Sequence, residues 1–141
     1  GIMPDKFVPI DTTMYSPYYR DLIAKGAVNN FTVNYVDANR AKIKSAYQTE
    51  DLYIAKFTVT PEIMQGLIDR GTADGVKYDE EQYRRSEPLL RAIIKGLIGR
   101  DIYEQSTYSR VVGPLDPTFA TAVEIINDPA LYRSYLSAPK K

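Results

Sequence analysis

The chain has 141 residues, with 18 basic and 18 acidic side chains and neither histidine nor cysteine. Its length suits one domain that buries roughly 68 to 70% of the surface its unfolded form exposes, and its zero net charge removes the long-range field that draws proteins to nucleic acid or anionic lipid. Without imidazole or thiol, the Ser-His-Asp triad, the Cys-His pair, disulfides and the common zinc sites are excluded, which leaves carboxylate, Ser-Lys or tyrosine chemistry.

The chain opens with GIMPDKFVPIDTT. Pro4 and Pro9 remove backbone donors and bias the residues before them toward extended backbone, so residues 1–13 are expected to form an extended connector or edge strand. This opening carries no initiator methionine, signal peptide or polar tail, and it reads as the middle of a longer protein. Next come four pairs of a capping side chain and a proline: Ser16-Pro17, Thr60-Pro61, Asp116-Pro117 and Asp128-Pro129. Each places an acceptor for orphan amides before a proline whose missing donor costs nothing at the first helical position. The first helix is predicted from Pro17 to about Lys25, closed by Gly26, and another from Pro61 to about Arg70, closed by Gly71.

Between them, Val28, Phe31, Thr32, Tyr35, Val36, Asn39, Ile43, Ala46 and Tyr47 recur at spacings of three and four, the signature of an amphipathic helix. A short helix near Glu50 to Phe57 follows, although FTVT after it reads equally as a brief strand. Asp79 and Gln82 have the spacing of a capping box. They lead into EPLLRAIIKGLIGRDIYEQ, whose stripe of Leu89, Leu90, Ile93, Ile94, Leu97, Ile98 and Ile102 marks the central core helix, with Pro88 as a kink or short break. Gly96 and Gly99 each cost that helix roughly 1 kcal/mol relative to alanine, which predicts close approach of a neighbouring segment. PTFATAVEIIN and PALYRSYL are predicted as two short final helices. The sum is an all-α fold: a small orthogonal bundle of about five to seven helices over residues 14–141, with Val28, Phe31, Tyr35 and Ile43 packed on the Leu90–Ile98 stripe.

No catalytic constellation emerges. Lys42 and Ser45 in KIKSAY share a helical face, but a charged one without a glycine-rich turn to supply oxyanion donors. YLSAPKK sits too near a chain end to hold catalytic geometry. Asp79, Glu80 and Glu81 are accounted for by the positive end of a helix, and neither DANR nor GTADGVKYDEE has the ligand spacing of a calcium loop. No metal or cofactor is implied. Tyrosines cluster in MYSPYYR and LYRSYL; Tyr15, Tyr18, Tyr19, Tyr132 and Tyr135 are candidates for a binding interface, against the competing expectation that they sit at the core margin.

GIMPDKFVP resembles the "GGI.PD..V" run that leaves the catalytic domain of tail-specific, or C-terminal-processing, serine peptidases; Gly1, Ile2, Pro4, Asp5 and Val8 fit it. PIDTTMYSPYYRDLIAKGAVNNFTVNYVDANRAKIKSAY, EEQYRRSEPLLRAIIKGLIGRDIYEQSTYSRVV and AVEIINDPALY resemble the helical C-terminal extension of such peptidases from Bacteroides-like bacteria. The resemblance implies that the catalytic serine and lysine and a peptide-gripping PDZ domain lie upstream, so no catalytic residue carries over to this chain. It also implies a parent that is exported, periplasmic or membrane-tethered through an anchor of its own. The partners it implies are the parent's catalytic and PDZ-like domains, with a second copy or a protein substrate as further partners. The expected role is a non-catalytic scaffold, docking or oligomerisation module; the alternative is an independent peptide- or protein-binding module with a tyrosine-rich surface.

Overall fold

A computed structural model describes residues 11–115, which form six α-helices and two short 3-10 turns with no strand among the described residues. The helices are α1 (Pro17–Ala24), α2 (Ala27–Ala46), α3 (Glu50–Lys56), α4 (Pro61–Ala73), α5 (Glu80–Ile102) and α6 (Thr107–Val112). The fold is therefore an all-α bundle, and its axis is α5. Along that helix Leu89, Leu90, Ile94 and Ile98 are completely buried, because α1, α2, α3 and α6 all pack against it. Val28, Val36 and Ile43 of α2 are buried with them, and α4 packs on α2.

The capping chemistry explains where the helices start. Ser16 accepts from the amide of Tyr19, and Thr60 from that of Ile63, each with a proline at the first helical position. Thr49 does the same for Leu52 and Asp79 for Gln82. Gly26 takes the left-handed conformation between α1 and α2, at φ 76°.

Several boundaries differ from expectation. The helix from Pro61 runs through Gly71 to Ala73 and turns at Gly75, whose φ is 90°. Gly71 serves a different purpose: a Cβ there would lie 2.6 Å from Cδ2 of Leu22, so its lack of a side chain lets α1 sit against α4. FTVT forms no strand; residues 57–60 join α3 to α4 in an irregular link. Pro88 lies inside one continuous helix from Glu80 to Ile102. Helix α6 was not anticipated, and the glycines of α5 are what seat it. A Cβ on Gly99 would meet Thr107 Cγ2 at 2.6 Å, and one on Gly96 would meet Tyr108 Cδ2 at 3.0 Å. The expected connector, apart from residues 11–13, and the two expected final helices lie outside the described residues.

Candidate functional site

The turn leading into α1 is tied to the first two turns of α5 by a buried polar chain. Ser86 Oγ donates to the carbonyl of Met14 at 2.5 Å and lies 2.7 Å from Ser16 Oγ. A carbonyl can only accept, so with the Ser86 hydrogen on Met14 the single Ser16 hydrogen is shared between Ser86 Oγ and the Gln82 carbonyl, which lies 3.3 Å away. Ser16 in turn accepts from the Tyr19 amide at 3.2 Å. Beside this chain, Gln82 Oε1 accepts from the Tyr18 amide at 2.7 Å. The capping box is thus half made: Asp79 caps Gln82, but the Gln82 side chain reaches across to α1 instead of back to Asp79.

A second contact region is aromatic. Tyr53, completely buried, stacks on Phe57 with centroids 4.8 Å apart and donates its hydroxyl to the Lys95 carbonyl at 2.6 Å. Lys95 Nζ donates back to the Ile54 carbonyl at 2.7 Å, so α3 and α5 are clasped in both directions. Burial pushes the Tyr53 phenol far above its ordinary range. Tyr103 donates its hydroxyl to the carbonyl of Tyr47, and Lys44 Nζ lies 5.1 Å above the Tyr103 ring, a cation–π geometry.

Next to this cluster an open groove of about 550 Å3 runs between α2, α4 and the link that joins α3 to α4. Its α2 wall carries Phe31, Tyr35, Asn39 and Lys42, one helical stripe; Tyr47 and Phe57 line one end and Ile63 and Gly66 the opposite wall. Phe31 and Tyr35 stack at 5.8 Å, and Tyr47 meets Phe57 edge-on at 5.7 Å. Phe31 lies close over Gly66, where a Cβ would come within 2.7 Å of its ring. Asn39 is occupied, donating to the Tyr35 carbonyl at 2.9 Å.

The tyrosines singled out from sequence are placed differently. Tyr18 is only 2% exposed and supplies core, not surface, its ring edge-on to Tyr78 and Tyr83. Tyr15 and Tyr19 are half-buried and meet edge to face at 5.6 Å. Burial pushes the phenols of both Tyr18 and Tyr19 up to about 12. Tyr132 and Tyr135 lie outside the described residues, as does YLSAPKK. Lys42 and Ser45 are both exposed on α2, and no hydrogen bond joins them. Glu80 and Glu81 pair with Arg84 and Arg85 one turn on, at 2.7 and 3.0 Å. Sequence reasoning placed Phe31 and Tyr35 in the core and passed over the groove that they line; the signal was the width of the α2 stripe, broader than one neighbouring helix can cover.

Among the described residues the geometry defines a small all-α domain with a clamped amino-terminal turn and an aromatic groove, and no described helix is long and apolar enough to cross a membrane. The chain belongs to a family of unknown function, DUF8443, whose model matches residues 18–104, from within α1 to just past α5, and so takes in the groove. No curated protein and no solved structure matches the chain.

Proposed function

We propose that the chain is a non-catalytic helical C-terminal module of an exported, tail-specific serine peptidase, and that it serves the parent as a rigid scaffold for docking. The sequence resemblance suggests the parent. The observation that carries the scaffold role is the buried Ser16–Ser86 clamp: it fixes the direction in which the chain enters the bundle relative to α5. A module that orients neighbouring parts needs such a joint, whereas a freely tethered one does not. The exposure of Lys42 and Ser45 supports a role without chemistry of its own, since a Ser-Lys pair acts only when desolvated and held together.

The test is the full-length gene product compared with a version cut before Asp11. The expected outcome is a Ser-Lys dyad and a PDZ-like segment upstream, a lower thermal midpoint or turnover in the truncated form, and no turnover by the 141-residue chain on unstructured peptides with apolar ends. Turnover by the chain alone, surviving joint replacement of Lys42 and Ser45, would overturn the proposal.

A second reading, a peptide- or protein-binding module, is favoured by the aromatic groove, because concave apolar surface with a few polar groups at its edge is the usual form of a binding site.

A further inference from the structure

The groove has a charge asymmetry that points to its occupant. Lys42 stands on the α2 wall, exposed and without an ion pair or hydrogen bond to any described residue. The opposite wall carries one acid, Glu62, but that side chain lies in the first turn of α4, where the positive end of the helix dipole, equivalent to about half a charge, offsets part of it. Lys42 has no such balance, since only Lys44 falls in the last turn of α2 and the dipole's influence fades within one turn. On the same side, Tyr35 and Tyr47 line the groove, and neither phenol donates to a described residue. Lys42, Tyr35 and Tyr47, each with a donor that no described residue takes up, thus line a trough whose apolar surface comes from Phe31 and Tyr35 on α2, Tyr47 and Phe57 at one end and Ile63 on the opposite wall.

We infer that this groove docks a peptide segment of a partner protein in which a large apolar side chain stands beside an aspartate or glutamate. The apolar side chain enters between the aromatic walls, and the carboxylate accepts from Lys42 and from the tyrosine hydroxyls. A volume of about 550 Å3 suits one large side chain and its backbone. An open trough, unlike a closed cavity, lets the chain pass through at both ends. The inference deepens the binding-module reading and rests on it, and is independent of the peptidase proposal.

The experiment uses the full chain and three short fluorescent peptides, acetylated and amidated so that only side chains are charged: Ser-Gly-Phe-Glu-Gly-Ser, its Phe-Lys counterpart and its Ala-Glu counterpart. Fluorescence anisotropy at low salt should show saturable binding of the Phe-Glu probe, at least about fivefold weaker binding of the other two, and weakening as salt screens the pair. Lys42→Glu, an exposed change whose fold is checked by circular dichroism, should reverse the preference toward the Phe-Lys probe. Amide shift changes should centre on Phe31, Tyr35 and Tyr47. Equal binding of the Phe-Glu and Phe-Lys probes would overturn the charge rule while leaving a binding groove. Binding of no probe, or shifts centred elsewhere, would overturn the groove as a peptide site altogether.

Discussion

Ser16 and Ser86 stand 70 residues apart in sequence and meet at 2.7 Å, both buried. Ser16 accepts from the Tyr19 amide and also reaches the Gln82 carbonyl, while Ser86 donates to the Met14 carbonyl, so the pair links the turn to α5 at several points. Replacing Ser86 with alanine removes the side-chain donor to the Met14 carbonyl in a place water reaches poorly, and leaves Ser16 with only its long 3.3 Å contact to the Gln82 carbonyl as acceptor. The expected cost is about 1 to 3 kcal/mol, with faster amide exchange at Met14 to Tyr19 than in the body of α5. Chemical denaturation and hydrogen exchange check this, and a variant unchanged in both would mean that the clamp does not hold the turn.

Ile94 is completely buried at the centre of α5. Truncation to alanine should cost about 2 to 5 kcal/mol, the range for a large core side chain whose cavity closes only in part. An unaltered denaturation midpoint would place the α5 stripe outside the core.

Gly99 carries the contact between α5, α6 and Tyr53. An added methyl would stand 2.6 Å from Thr107 Cγ2 and 2.7 Å from Tyr53 Cε2, so α6 or the Tyr53 ring must shift. Although alanine gains the helix about 1 kcal/mol in propensity, the strain of overpacking should outweigh it and leave Gly99→Ala about 1 to 2 kcal/mol less stable. A stabilised variant would show that α6 is not held close at this point.

The Tyr18 hydroxyl is buried without a hydrogen-bond partner. Tyr18→Phe removes an unmet polar group and keeps the ring, so it should leave the protein as stable or stabilise it by about 1 kcal/mol at neutral pH; a loss of that size would reveal a partner for the hydroxyl.

Tyr18 and Tyr19 are among the phenols that set an alkaline limit, because burial raises both from 10.0 to about 12, and raises Tyr53, Tyr83 and Tyr108 further still. The folded state holds these protons more tightly than the unfolded one. The contribution of Tyr18 and Tyr19 is therefore complete below pH 10 and is lost as the pH rises toward 12. Thermal midpoints should fall across that window, and the fall should be shallower in Tyr18→Phe; a slope unchanged by the substitution would remove Tyr18 as a cause.

What the sequence by itself determined lies within a turn or two of the residues concerned. Ser16-Pro17 and Thr60-Pro61 start helices because a side-chain oxygen caps an amide three residues on and proline surrenders a donor that has no use there. The spacing from Leu89 to Ile102 marked the core helix because a stripe at 3.6-residue period buries itself whatever covers it. Only the tertiary structure decided what covers which face. Gly71 looked like a stop and is a contact for Leu22; Gln82 looked like half of a capping box and holds the Tyr18 amide. Tyr18 has a neighbour on every side, whereas Phe31 and Tyr35, from an equally apolar stripe, are left half-open where α2 and α4 leave a groove between them. Caps and periods act through bonds between near neighbours in the chain, and are written there; burial depends on which distant helix arrives, and that is settled only when the whole core is packed.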